Sequence, residues 1–247
     1  MLFKIEQKSD LQRIEYLFSN IRFFMGNSVL DGLMGEAYTD NINSPKFAIL
    51  LVRTYCFMSG IIENDKLEEL IDSKLKDRIL IPSDKIKKQI ENIYKQDAIK
   101  TERYSIKKNP KFDAVKLKEY STNIPDNYII KLIDRDMYLK IRNENYINTT
   151  DDYEKYGVGY CCLYNNEIVG VATSNIFYKD GIEVNIKVSE NHRRKGIATA
   201  LASNLILECI GQKRKISWDA ANMNSVKLAK KLGFEYDSTY NVYKFEK

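Results

Sequence analysis

The stretch Val188-Ser189-Glu190-Asn191-His192-Arg193-Arg194-Lys195-Gly196-Ile197-Ala198-Thr199 joins two patterns of different period. Before it, Ile182-Glu183-Val184-Asn185-Ile186-Lys187 alternates apolar and polar residues, the period of a strand. After it, Leu201, Leu205 and Cys209 recur four apart with Ile206 beside them, the spacing of a helix with a buried face. A basic, glycine-containing turn therefore connects the carboxyl end of a strand to the amino end of a helix. A helix start offers unpaired N–H groups and the positive end of the helix dipole. Both favour an anion, and phosphate is the usual one.

The rest of the chain bounds what such a site can serve. Its 247 residues suffice for one large domain or two small ones with a real core. The composition, 44% apolar and 30% charged, is that of a soluble globular protein. The net charge of +5 suits a small polyanionic ligand and does not call for nucleic acid. No apolar run approaches the roughly 20 residues that span a bilayer, and Met1 to Glu6 has no secretory h-region. The four cysteines, Cys56, Cys161, Cys162 and Cys209, form no C-x-x-C pair, which points to reduced thiols in a cytoplasm. One histidine, His192, rules out two-histidine zinc sites, and no metal is expected. His192 reads as exposed or phosphate-touching, with proton transfer as the alternative.

Taken in order, Ser9 opens a Ser-x-x-Gln capping pattern ahead of a helix carrying Leu11, Ile14, Leu17 and Phe18. Gly35 to Asp40 reads as a strand, and Phe47 to Met58 as one strand buried on much of both faces. Leu67 to Leu75 is helical, Arg78 to Ile81 a short strand, and Ser83 caps a helix along Ile86, Ile90 and Tyr94. Strand 99–106, a turn at 107–110 and a connecting helix over 111–121 follow. Pro125 marks a division into an N-terminal α+β domain, 1–124, and a second domain, 125–247. The second reads as strand 128–133, helix 135–147, and a hairpin turning at Asn165-Asn166. A further turn at Asp180-Gly181 enters the strand before the basic turn. Lys215 to Asp219 is a strand, Asn222 opens a helix, Gly233 is a C-cap residue, and strands 234–236 and 240–245 end the chain. This is an α/β order on one mixed, mostly antiparallel sheet, without Gly-x-Gly-x-x-Gly or Walker A.

Two motifs then carry a resemblance. Arg193-Arg194-Lys195-Gly196-Ile197-Ala198 matches Q/R-x-x-G-x-G/A, and Asn222-x-x-Ser225 is followed by Leu232-Gly233-Phe234. Together, on these strand and helix ends, they resemble the GNAT superfamily of acyl-CoA-dependent N-acetyltransferases. Trp218-Asp219 before Asn222, and Leu228-Ala229 before Lys231-Leu232-Gly233-Phe234, look like the zwittermicin-resistance type. The resemblance implies acetyl-CoA as co-substrate, its pyrophosphate on the turn formed by Arg193, Arg194, Lys195, Gly196, Ile197, Ala198 and Thr199. It implies pantetheine pairing like an added strand near Ile186 and Val188, with Asn222 and Ser225 on the pantetheine side. An N-cap role for Asn222 is compatible.

The nucleophile implied is a primary amine. An alkylammonium, with a pKa of about 10.4, costs about 4.6 kcal/mol to deprotonate at pH 7. Glu183 is the candidate base; the bland alternative is a surface carboxylate paired with Lys187. A tyrosine that protonates the departing thiolate in the family would fall at Ala229 and is missing, leaving Tyr236, Tyr240 or Tyr243, or an unaided departure of the thiolate, as alternatives. The expected partner is a small-molecule amine, with an amine antibiotic as one instance, and a homodimer is left open. The alternatives are an acetyltransferase of protein, peptide or aminoacyl-tRNA amines, and a non-catalytic acyl-CoA-binding protein. The first half, whose element succession echoes the second, reads either as a degenerate GNAT-like half that does not bind CoA or as an unrelated α+β domain.

Overall fold

The structure, a computed structural model, describes residues 2–19, 25–107, 110–143 and 153–246. Packing divides the chain into two units, one formed by residues up to Arg103 together with those from Thr239 onward, the other by Tyr104–Ser238.

The first unit begins with β1 (Phe3–Ile5), α1 (Lys8–Ile14), α2 (Met25–Leu30) and β2 (Glu36–Thr39). Gln7 occupies the N-cap position of α1 without a side-chain capping bond, so Ser9 lies inside the helix and does not start it. The long strand expected over 47–58 is two strands, β3 (Phe47–Val52) and β4 (Tyr55–Gly60), paired antiparallel as a hairpin. Arg53 takes a left-handed φ of 55° in the two-residue turn, a conformation the surrounding apolar run does not advertise. Next come α3 (Asn64–Leu70), continued by a π-helical turn to Leu75, then β5 (Ile79–Pro82) and α4 (Asp84–Tyr94). Ser83 occupies the N-cap of α4 without a side-chain capping bond. Strands run in the order β1-β2-β3-β4-β5, all antiparallel neighbours except the parallel β4–β5 pair, and Tyr243 of the chain's last strand pairs with Leu80 beyond it. The core joins Phe47, Ile49, Met58, Leu67, Leu80 and Tyr243.

Strand β6 (Ile99–Ile106) leads into the second unit, where Asp113 caps α5 (Ala114–Thr122) by accepting from the Val115 and Lys116 amides. Part of the expected 107–110 turn lies outside the described residues. Then follow β7 (Tyr128–Leu132), α6 (Arg135–Asn143), α7 (Tyr153–Tyr156), β8 (Gly159–Tyr164) and β9 (Glu167–Tyr178). The remainder of the helix expected to 147 lies outside the described residues. Asn165 and Asn166 both have positive φ, 51° and 64°, as a two-residue hairpin turn requires. The chain continues through β10 (Gly181–Val188), α8 (Ile197–Gly211), β11 (Lys215–Ser217), β12 (Asp219–Ala220), α9 (Met223–Lys231) and β13 (Tyr236–Lys244). The sheet order is β7-β8-β9-β10-β11, antiparallel throughout except β10–β11.

Both units thus repeat one order: a strand, two helices, three antiparallel strands, a helix, a parallel strand and a helix. The repeat does not extend to the fourth and fifth strands' separation. In the first unit β4 pairs with β5 from Tyr55↔Ile79 to Met58↔Pro82, and the Ser83 amide donates to Met58 O (2.8 Å). In the second, β11 accompanies β10 only from Gly181↔Lys215 to Glu183↔Ser217, whereas β10 stays paired with β9 to Val188↔Gly170.

Two expectations about the strands change here. The strand expected at 215–219 breaks at Trp218: β11 lies beside β10, and β12 pairs with β6 at Asp219↔Ser105. The single sheet expected for this half is therefore incomplete. The two final strands are one continuous strand, β13. The packing boundary falls at 103/104 and again at 238/239, offset from the division at Pro125, because α5 packs along α8 and the end of β13 belongs to the first unit. Asn204 Nδ2 donates to Ser121 O (3.0 Å), tying α8 to α5. That second neighbour explains why α8 is buried well beyond the expected stripe, Ala202 and Ser203 included. Gly170 admits α8 to the sheet: a Cβ there would lie 3.1 Å from Leu201 Cδ1 and 3.3 Å from Ile197 Cγ2.

Candidate active site

The basic turn is built as the local sequence dictates. After β10 the chain makes a short 3-10 turn, Glu190–His192, then two left-handed residues, Arg194 (φ 62°) and Gly196 (φ 82°). Gly196 is the N-cap of α8 and supplies no side-chain acceptor to the helix amides. The first intrahelical bond is Ala200 N to Gly196 O (3.0 Å), and among the described residues no backbone acceptor meets the Ile197, Ala198 or Thr199 amides. A Cβ on Gly196 would stand 2.9 Å from Asn123 O, so the backbone is pressed close with nothing projecting from it. Ile197 is buried and anchors the helix start; Ala198 and Thr199 are half-buried; Arg193, Arg194, Lys195 and Gly196 are exposed. Donors without acceptors, a dipole end and a glycine cradle fit a pyrophosphate.

The three basic side chains are not equivalent. Arg193 turns back on the strand, with Nε 3.2 Å from Val188 O and Nη1 3.1 Å from Glu190 Oε1. Lys195 Nζ donates to the Tyr128 hydroxyl (2.9 Å). Ile186 and Val188 lie half-buried on β10, opposite Ala172 and Gly170 of β9.

Glu183 is not the surface carboxylate that strand alternation suggests. A β-bulge between Glu183 and Val184 interrupts the alternation, and Glu183 is 6% exposed. It stands where β11 and β12 diverge. Oε2 lies 2.5 Å from Ser217 Oγ, and Oε1 accepts from the Asp219 amide at 2.5 Å. One carboxylate thus bridges the last residue of β11 and the first of β12. Neither donor was visible in the sequence: Ser217 meets Glu183 through the β10–β11 pairing, and the Asp219 amide through the break at Trp218.

Asn222 and Ser225 are engaged locally. Asn222 Oδ1 caps α9 by accepting from Ser225 N (3.0 Å), and Ser225 Oγ accepts from the Trp218 indole N–H (3.0 Å). Trp218 packs edge-on against Phe234 (5.3 Å). Ser225→Ala, which leaves a buried indole N–H unpaired, is expected to cost about 1–2 kcal/mol, and Asn222→Ala about 1 kcal/mol. In a domain of this size each kcal/mol lowers Tm by about 2–4 °C, which thermal unfolding reads directly.

The thiols offer no nucleophile. Burial pushes Cys161 and Cys162 up to about 11, Cys209 up to about 12, and Cys56 higher still, so none is a thiolate near neutrality. Among the described residues no group of three or more His, Cys, Asp and Glu could hold a metal, and no helix is long and apolar enough to cross a membrane.

A family model, GNAT acetyltransferase, matches residues 15–243. The chain belongs to the GNAT acetyltransferase family. It is an N-acetyltransferase by that membership. A curated relative, the uncharacterized N-acetyltransferase YdfB of Bacillus subtilis, is 26% identical over 234 residues, covering 87% of this chain and 88% of its own. A GCN5-related N-acetyltransferase-like protein from Streptococcus suis is 30% identical and covers 98% of this chain and 100% of its own, with a TM-score of 0.88. A tandem GNAT protein from the clavulanic acid biosynthesis pathway aligns over 98% of this chain and 96% of its own with a TM-score of 0.58. Its 10% identity makes that a likeness of fold.

Within this GNAT protein the position expected for a tyrosine is closed. Ala229 is fully buried, and its carbonyl accepts from Phe234 N (3.0 Å). Of the three alternative tyrosines, Tyr243 is committed elsewhere, its hydroxyl donating to Glu91 Oε1 (2.6 Å) in the first unit.

Proposed function

We propose that the second unit transfers an acetyl group from acetyl-CoA to the primary amine of a small molecule, by direct attack of the amine. The carrying observation is the β10–Gly196–α8 turn, with its left-handed glycine and the acceptor-free amides of Ile197 to Thr199. Arg193, Arg194, Lys195 and Gly196 would border the pyrophosphate, and the β10 edge at Ile186 and Val188 would take the pantetheine beyond the point where β11 leaves. When bound, acetyl-CoA supplies the activated thioester carbonyl. The buried thiols argue against an acyl-cysteine and so support direct attack. Glu183 would accept the ammonium proton, directly or through water. Asn222 and Ser225 would border the pantetheine side through the start of α9. Trp218-Asp219 and Leu228-Ala229 incline the acceptor toward the zwittermicin-resistance type, hence toward an amine antibiotic. Residues 125–247 would hold the donor site and 1–124 a degenerate GNAT-like half, since β4 and β5 stay paired to Pro82 and the Ser59–Lys66 stretch is acidic. Four free thiols suit a cytoplasmic location.

Mixing the protein with acetyl-CoA and separate amines (a polyamine, an aminoglycoside, free amino acids, a lysine peptide), while following thiol release, tests this reading. Turnover of the small amines is expected. Turnover of the peptide alone would move the reading to protein or peptide acetylation. CoA binding without turnover of any amine would favour a non-catalytic acyl-CoA binder, which the hydroxyl-free Ala229 position also suits. Absence of CoA binding would sink the donor assignment.

A further inference from the structure

Two tyrosines and the histidine beside Lys195 have no part in that reading. Tyr128, the buried first residue of β7, packs against Tyr164 (ring centroids 4.9 Å apart) and edge-on to His192 (5.7 Å), and Tyr164 lies 5.1 Å from His192. The Tyr128 hydroxyl is 2.9 Å from Lys195 Nζ and 2.9 Å from His192 Nδ1. Lys195 Nζ also stands 5.5 Å from the Tyr128 ring centroid.

The donor inventory orders these contacts. An ammonium only donates, so the tyrosine oxygen accepts from Lys195. The single hydroxyl proton is then available to the other neighbour, and when it points at His192 Nδ1 that nitrogen accepts. A neutral His192 in this arrangement carries its proton on Nε2. One hydroxyl thus contacts both a cation and an imidazole nitrogen, and both groups belong to the turn that leads into Gly196 and α8. Lys195 gives one of its three protons to Tyr128 and keeps two.

We propose that Tyr128 is a positioning residue for the phosphate end of the acyl donor, holding the Lys195 ammonium and the Nε2–H form of His192 at the turn. The inference rests on the CoA reading of that turn. Lys195 is exposed and Arg193 is turned toward Glu190, so a cation ordered before binding lowers the cost of ordering it afterwards. The tautomer adds a neutral N–H donor beside it.

Tyr128→Phe removes one oxygen and keeps the ring against Tyr164. The dissociation constant for CoA is expected to rise about 3- to 10-fold, with kcat for acetyl-CoA unchanged, while affinity for acetyl-pantetheine, which lacks the phosphates of the nucleotide end, stays the same. Because His192 is the only histidine, its imidazole 15N signals are unambiguous. The wild type should show the Nε2–H pattern and Tyr128→Phe a tautomer mixture. Equal losses for CoA and acetyl-pantetheine, no change for either, or an Nδ1–H pattern in the wild type would each overturn the proposal. A wild type that binds no CoA refutes the donor reading itself; a wild type that binds it and a variant that binds equally well refute only the role of Tyr128.

Discussion

Glu183→Gln is expected to lower kcat/KM for acetyl transfer by about 10²- to 10⁴-fold, the usual contribution of a positioned general base, while CoA affinity changes less than about threefold. The carboxamide keeps the shape of the carboxylate. Its oxygen can still accept from the Asp219 amide, and its nitrogen can donate to Ser217 Oγ, so the bridge between β11 and β12 survives in form. What is lost is a group able to take the proton of an alkylammonium. Stability should fall by only about 1 kcal/mol, the difference between a charge-assisted and a neutral hydrogen bond. Steady-state kinetics, CoA titration and thermal unfolding of the same preparation separate these effects. Unchanged turnover removes Glu183 as base and leaves it as a bridge at the strand divergence. A large fall in Tm with proportionate loss of CoA binding would point the same way.

Gly196→Ala is expected to damage the turn twice over. An L-residue held at φ 82° costs about 1–2 kcal/mol, and its Cβ, 2.9 Å from Asn123 O, would force the turn and the α5–β7 connection apart. A stability loss of about 1–3 kcal/mol follows. The larger effect should be on the donor: displaced amides at Ile197 to Thr199 no longer converge on one anion, and CoA affinity should drop at least about tenfold. Calorimetric titration with CoA, alongside a melt without ligand, checks both. If the melt shifts and CoA affinity holds, the pyrophosphate lies elsewhere.

The turn could be read from sequence because everything that shapes it lies within a dozen residues. Alternation ends at Val188, glycine stands where a left-handed N-cap is needed, and helical spacing starts at once. Asn222 was legible on the same terms, as a short polar side chain one position before a helix. Glu183 was legible as a residue and not as an environment. Its strand was assigned correctly, but its burial arises from a bulge at Val184 and from donors on Ser217 and Asp219. No local pattern announces these. The hairpin within 47–58 was missed for a related reason. Six apolar residues before Arg53-Thr54 and four after it read as one run, and the turn itself has no Gly or Asn of the kind that usually marks it.

What the sequence alone determined is the part of this protein governed by near neighbours: the element types, the glycine-capped start of α8, the capped α9 and, through two motifs, the family. What only the tertiary structure decided is which strand lies beside which. Asp219 pairs with Ser105, and Tyr243 with Leu80. Those partners lie far away along the chain, and a strand's own residues specify its two faces but not its neighbour. That choice splits β11 from β12 at Trp218, assigns the end of β13 to the first unit, and places the Glu183 carboxylate at the divergence.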